Sequence, residues 1–133
     1  MKALNKNTQA ILDRLIAIAK AGGGHTKIDN APGHFMAACV EIIGKVDGHN
    51  DLVSVAHYGE QNGDAMRDPD IVFEVSEIHA WPISYRNDYM GINNEAVEYD
   101  ENGMFHGCRR KMQADITDCA NMLLRNIAAQ QGI

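Results

Sequence analysis

The chain has 133 residues, of which 45% are hydrophobic and 23% charged, and its formal net charge is -6. This length predicts a single domain over residues 1–133 with a modest core, and the acidic balance disfavours a general DNA or RNA binder. No apolar run is long enough to cross a bilayer. The N-terminus lacks the pattern of a signal peptide, and the three cysteines include no close pair. Both features favour reduced thiols and a cytoplasmic location.

The first predicted element is a helix over about Thr8 to Ala21, where apolar residues recur at helical spacing. Asn7 or Thr8 is expected to cap its start. The three glycines from Gly22 to Gly24 are expected to end it, because glycine readily takes the left-handed conformation of a helix C-terminus. The polar stretch from His25 to His34 follows as a connection.

A run of short antiparallel strands comes next. Alternation and β-branched content predict five or six of them, namely Phe35 to Ile43, Leu52 to Tyr58, Ile71 to Val75, Ile78 to Tyr85, Asn94 to Tyr99 and Met104 to Cys108. Turn residues separate several of these strands, at Gly44 to Asn50 with Gly48 as pivot, at Arg86 to Asp88, and at Asp100 to Gly103. The last of these turns carries a strong hairpin signal.

Side-chain direction is predicted for three of these strands. In the strand from Leu52 to Tyr58, Val53, Val55 and His57 are expected to point to one face and the even-numbered residues to the other. In the strand from Ile71 to Val75, the odd-numbered residues are expected to face the core. In the following strand, Trp81, Ile83 and Tyr85 are expected to share one face. Pro82 cannot donate to a strand ladder, so it indicates either an edge strand or a bulge.

The last predicted element is a helix over about Lys111 to Ala129. Its apolar face is expected to consist of Met112, Ile116, Cys119, Leu123 and Ile127. Strands grouped between two terminal helices predict an α+β fold, with an antiparallel sheet of about five or six strands. Both helices are expected to cover one face of that sheet, which leaves the other, more polar face for binding.

The most polar stretch, His57 to Asp70, is interpreted as a long loop between two strands. It holds four carboxylates and one cation, Arg67, which is expected to bridge to one of those carboxylates as an exposed pair. Asn62-Gly63 and Asp68-Pro69 each indicate a turn within it. Its candidate binding residues are Glu60, Asn62, Asp64, Arg67, Asp68 and Asp70.

A second candidate surface follows the strand that ends at Tyr85. The stretch from Tyr85 to Tyr89 mixes aromatic side chains, arginine and turn residues, and tyrosine and arginine are frequent anchors of protein interfaces. Aromatic residues at strand spacing are equally typical of core packing, so both interpretations stay open. The candidate binding residues here are Tyr85, Arg86, Asp88 and Tyr89.

Metal chemistry is the alternative interpretation of the polar stretch. A metal-dependent hydrolase or nuclease would use His57, Glu60, Asp64 and Asp68 as its ligands. The calcium-loop pattern fails, however, because it would place Ile71 where a bidentate glutamate is required. The histidines and cysteines lack the paired spacing of a zinc site. No metal site, catalytic residue or cofactor is therefore predicted.

Several segments together resemble a known family: His57-Tyr58, Glu60 to Asp64, Met66 to Asp70, Phe73 to Val75 and Trp81 to Asp88. This family consists of small uncharacterised bacterial proteins carried by plasmids, phages and integrated elements, and it is classed as a domain of unknown function. The resemblance covers roughly Phe35 to the C-terminus and brings no established activity. It implies accessory genes of mobile elements, often near anti-defence or conjugation functions.

The combined expectation is a small cytoplasmic accessory protein of a mobile genetic element. It would act as a non-enzymatic module that binds another protein through the polar stretch and the turn after Tyr85. The identity of that partner and the oligomeric state stay open.

Overall fold

A computed structural model describes residues 1–46 and 48–133. In chain order the elements are α1 (Lys6–Ala21), β1 (His25–Ile28), β2 (Ala38–Val46), β3 (Asn50–Gln61), β4 (Asp64–Val75), β5 (Ala80–Asn87), β6 (Ile92–Glu95), β7 (Val97–Tyr99), β8 (Phe105–Cys108) and α2 (Arg110–Gln131). Strands β1 to β6 form one antiparallel sheet in sequential order, and β7 pairs with β8 in a small second sheet. The predicted α+β fold is therefore confirmed.

Both helices pack on the same face of the six-stranded sheet. Leu12 and Leu15 of α1, Leu124 and Ile127 of α2, and Phe73 of β4 are fully buried in one apolar cluster. Burying a side chain of this size contributes roughly 1.5–3 kcal/mol. This layer therefore holds the sheet and the helices together, as the amphipathic patterns predict.

The opposite face of the sheet is only partly covered. There Val72 and Ile83 pack against Val97 of the small second sheet in a separate cluster. Leu52, Tyr99 and Cys108 pack against this cluster, and Asp70 and Glu74 of β4 lie on the same face as Val72. Neither α1 nor α2 combines the length and apolarity needed to cross a bilayer, and the described part of the chain contains no other α-helix.

The helix ends and faces differ in detail from the sequence prediction. α1 begins two residues earlier than expected, and its cap is Asn5, whose side-chain oxygen accepts a hydrogen bond from the Thr8 amide at 2.9 Å. The prediction of Asn7 or Thr8 as the cap is therefore wrong. On α2, Cys119 is exposed, because the buried stripe turns toward Ala120 and Leu124.

The predicted connection after α1 contains a strand. β1 pairs with β2 at the edge of the sheet, where only Ile28 of its four residues is buried. Because β1 contains so few apolar residues, its sequence shows no clear alternation of apolar and polar residues. β2 extends to Val46, past the predicted start of the turn at Gly44. Gly48 has a φ of +73°, and Asp47 of that predicted turn lies outside the described residues.

Pro82 lies at a bulge, which is one of the two alternatives predicted for it. Val72 pairs with Ser84 and Phe73 with Pro82, so Ile83 is an extra residue in a strand that lies inside the sheet. The bulge turns Ile83 toward the second cluster while Tyr85 packs on the main core. The predicted common face of Trp81, Ile83 and Tyr85 is therefore wrong.

The predicted strand from Asn94 to Tyr99 is divided between the two sheets at Ala96. The Ala96 amide donates to the Ile83 carbonyl at 2.9 Å, and the Ala96 carbonyl accepts from the Arg109 amide at 2.7 Å. The hairpin predicted at Asp100 to Gly103 is confirmed, since it joins the paired strands β7 and β8.

Candidate functional site

The polar stretch from His57 to Asp70 is a β-hairpin and not the long loop that the sequence suggested. β3 continues to Gln61 and β4 starts at Asp64, with the last pairs running from Tyr58 opposite Arg67 to Gln61 opposite Asp64. Asn62 and Gly63 form the connection with φ angles of +53° and +84°. Two successive residues with positive φ are typical of the tightest hairpin turns, which favour Asn-Gly.

We call residues 58–67 the hairpin tip. Most of its side chains are exposed on both faces, which explains why its strands lack apolar alternation. Asp68-Pro69, predicted as a second turn, lies inside β4, and its peptide bond is cis.

Arg67 connects the hairpin tip to the turn between β5 and β6. Its guanidinium donates to both carboxylate oxygens of Asp88, with distances of 2.9 Å from Nη2 to Oδ1 and 3.0 Å from Nε to Oδ2. The Arg67 amide donates to the same carboxylate at 2.7 Å, and the Asp88 amide donates to the Arg67 carbonyl at 2.9 Å. These bonds to the Arg67 side chain and amide hold the pKa of Asp88 below its usual value. The expectation that Arg67 bridges to a carboxylate of its own stretch is therefore wrong.

Two further contacts seat the turn on the hairpin. The Asn87 side chain donates to the Asp68 carboxylate at 3.1 Å, and the Tyr89 hydroxyl donates to the Glu60 carbonyl at 3.3 Å. The Tyr89 ring lies against Gly59, so closely that a Cβ added there would stand 2.2 Å from the hydroxyl oxygen. Glycine at position 59 therefore permits the close approach of turn and hairpin.

The result is one continuous surface, which we call the hairpin–turn surface. It comprises Glu60, Asn62, Asp64, Arg67, Asp68, Asp88 and Tyr89. Glu60 and Asp64 are exposed, and neither side chain has a partner within the described residues. Tyr89, whose hydroxyl bonds to the Glu60 carbonyl, is 46% exposed. The surface thus combines free negative charge with an exposed aromatic ring.

Three predicted binding residues lie elsewhere. Asp70 is buried and accepts a 2.6 Å hydrogen bond from the Ser54 hydroxyl. Tyr85 packs against the main core. Arg86 binds the Glu95 carboxylate at 3.0 Å across the β5–β6 pair. Each of these side chains supports the sheet, so none belongs to the hairpin–turn surface.

The residues of the metal alternative do not converge. His57 is buried and lines a cavity beneath α2, whereas Glu60 and Asp64 are exposed at the hairpin tip. Among residues 1–46 and 48–133, no three His, Cys, Asp or Glu side chains are grouped so as to hold a metal ion. The described geometry therefore gives no support to a metal-dependent hydrolase that uses these side chains.

Two cavities lie beneath α2, and no sequence pattern predicted them. The larger has a volume of about 580 Å³ and is lined by residues from β5, β6, the turn between them and α2. Its walls come from segments far apart in the chain, so no local motif indicates it. Cys119 and Met122 of α2 are both exposed and line these cavities, Cys119 both of them and Met122 the smaller one.

Comparison with known proteins identifies one family. The sequence model of a family described as "Domain of unknown function (DUF6908)" matches residues 6–133. No curated protein and no solved structure matches the chain. The family match includes the whole of the hairpin–turn surface and both helices.

Proposed function

The chain belongs to the DUF6908 family, whose description names no activity, and on that premise we propose that it is a non-enzymatic protein-binding module. It docks on another protein through the hairpin–turn surface. The observation that carries this proposal is the Arg67–Asp88 pair, which fixes the turn on the hairpin at 2.9 Å. A surface ordered before binding loses less conformational entropy when the partner arrives.

The charges of this surface define the partner's chemistry. Arg67 is neutralised by Asp88, so the free charges at the hairpin tip are the carboxylates of Glu60 and Asp64. A partner with lysine or arginine side chains around an apolar depression complements these carboxylates and the exposed Tyr89 ring. Aromatic anchors inside a polar rim are typical of such interfaces.

The proposed setting is the cytoplasm, where the protein acts as an accessory factor of a mobile genetic element, in anti-defence or conjugation. The acidic charge of -6 suits association with a basic protein. Three free thiols, Cys39, Cys108 and Cys119, agree with a reducing compartment. The resemblance to proteins of plasmids and phages supports the genetic setting.

Affinity capture with matched charge variants tests the proposal. The bait is the full chain, either unchanged or with Glu60→Lys and Asp64→Lys, in an extract of the cell that encodes it. The control bait carries Glu77→Lys and Glu101→Lys, which reverse two exposed carboxylates on other turns. We expect the unchanged and control baits to capture the same protein and the first variant to lose it. Equal capture by all three baits contradicts the proposed surface.

A salt series on the captured complex gives an independent readout. Opposite charges steer association, and salt screens them over about 8 Å at 0.15 M ionic strength. We therefore expect the association rate to fall between 0.05 and 0.5 M salt for the unchanged protein. An association rate independent of salt contradicts a contact through Glu60 and Asp64.

A further inference from the structure

Two neighbouring cavities lie along α2 and share two lining residues. The outer cavity, of about 580 Å³, lies between α2 and strands β5 and β6, and the inner one has a volume of about 250 Å³. Tyr85 and Cys119 line both cavities, so the two spaces are adjacent at these side chains. We call the combined space the α2 groove. Its size is within the range of cavities that hold small molecules.

The lining of the α2 groove is mainly apolar. Met90, Ile92 and Met112 line the outer part. Leu123 and Met122 line the inner part, together with the amides of Asn126 and Gln130 at its α2 side. Charge in the outer part is confined to residues 111 and 115, whose side chains pair with each other at 3.2 Å. This composition suits an apolar molecule and offers little to an ionic one.

His57 supplies a hydrogen-bonding group at the inner end. It is 8% exposed and lines the inner cavity. Its Nε2 atom is buried and has no hydrogen-bond partner within the described residues. Buried polar atoms are nearly always satisfied, because a missing hydrogen bond costs free energy. A ligand group that reaches Nε2 removes this cost.

The environment of His57 selects against a charged ligand group. Burial lowers the pKa of His57, while the carboxylate of Asp68 acts in the opposite direction and raises it. Because burial dominates, the imidazole is neutral at pH 7. An anionic group would also approach the negative charge of Asp68, so a neutral hydroxyl is the better partner.

We propose that the α2 groove binds an elongated, neutral and mainly apolar small molecule, whose single hydroxyl group pairs with Nε2 of His57. The apolar body lies along α2 past Cys119 into the outer cavity. Met122 is 54% exposed and lines the inner cavity. Since a methionine side chain is flexible, it can turn aside as the ligand enters. This site borders the hairpin–turn surface at the β5–β6 turn, where Met90 lines the outer cavity, but the proposal does not depend on the proposed function.

A fluorescence titration of the full chain tests the proposal. The probe is N-phenyl-1-naphthylamine, a neutral apolar dye, and the competitors are 1-octanol and octanoate. We expect saturable dye binding and displacement by 1-octanol at concentrations at least tenfold lower than by octanoate. Absence of saturable binding overturns the proposal and indicates a groove filled only by water. Equal displacement by both competitors overturns the requirement for a neutral group.

Variants separate the groove from the rest of the surface. Cys119→Trp fills the junction of the two cavities and should abolish dye binding, whereas Met104→Trp on the β7–β8 hairpin should not. His57→Phe should weaken 1-octanol roughly fivefold, the effect of one net hydrogen bond, and His106→Phe should leave its affinity unchanged. Dye binding that survives Cys119→Trp overturns the assigned location.

A measurement on the unmodified protein tests the proposal without depending on the correct folding of any variant. Cys119 is exposed and should react readily with iodoacetamide. Saturating 1-octanol should slow this reaction several-fold, without slowing the reaction of Cys108. An unchanged rate at Cys119 overturns the proposal whatever the variants show.

Discussion

Replacing Gly59 with alanine tests whether the β5–β6 turn is seated on the hairpin tip. The added Cβ would lie 2.2 Å from the Tyr89 hydroxyl oxygen and 3.0 Å from two ring carbons. The ring must therefore swing away and lose its 3.3 Å hydrogen bond to the Glu60 carbonyl. Overpacking costs about 1–3 kcal/mol in closed cores. Because Tyr89 is 46% exposed and can move into solvent, we expect Gly59→Ala to destabilise the protein by about 1 kcal/mol, the low end of this range.

Thermal unfolding followed by circular dichroism provides the assay. For a chain of 133 residues, about 1 kcal/mol corresponds to a Tm lowered by roughly 4 °C. Gly107→Ala is the control, since no atom lies within 4 Å of its added Cβ. In a Tyr89→Ala background, Gly59→Ala should cost nothing, or stabilise by a few tenths of a kcal/mol, because alanine restricts the unfolded chain. Equal destabilisation in both backgrounds would refute the contact, since the effects would then be additive.

Three further predictions concern charge and thiols. Arg67→Ala should lower the free energy of unfolding by about 1 kcal/mol or less, because the Arg67–Asp88 pair is partly exposed, yet it should weaken partner binding. A large loss of stability with unchanged binding would show that the pair has only a structural role. Alkylation followed by mass analysis should find Cys119 modified first and Cys39 slowly, because burial raises the pKa of the Cys39 thiol, and a native disulfide would contradict this. The hydrogen bond from Lys45 lowers the pKa of Asp51. The ionised Asp51 carboxylate therefore contributes its full stabilisation to the folded protein above the ordinary carboxyl pKa, and this contribution is lost as the pH falls through the lowered pKa. In denaturant titrations, the free energy of unfolding of Asp51→Asn should therefore be lower than that of the unchanged protein at pH 7, and the two values should converge as the pH falls below about 4. A difference that stays constant with pH would refute the role of the Asp51 charge.

The broad architecture could be predicted because it depends on periodic burial. α1 and α2 each bury one regular face, and Ile71, Phe73 and Val75 alternate toward the main core; that regularity is visible in the sequence. β1 buries only one residue, and the hairpin tip buries none of its side chains. These strands form because neighbouring strands pair with them, and their sequences alone carry no alternation.

The candidate site could be predicted only in outline. The residue types of both segments were visible, but the partner of Arg67 depends on strand register. Asp88 lies 21 positions away and reaches Arg67 because β4 and β5 pair in one particular alignment. The bulge at Ile83 likewise reverses side-chain directions between Trp81 and Tyr85, which no local pattern specifies.

Site-specific photo-crosslinking tests the central claim, that the hairpin–turn surface binds a protein, most directly. A benzophenone amino acid replaces Ala65, which is exposed opposite Glu60 on the hairpin tip, in protein expressed in the cell that encodes it. The control position is Met104, which is 49% exposed on the other hairpin. The account predicts one discrete crosslinked protein from position 65, its loss with Glu60→Lys and Asp64→Lys, and none from position 104. No adduct at position 65, or the same adducts from both positions, would contradict it.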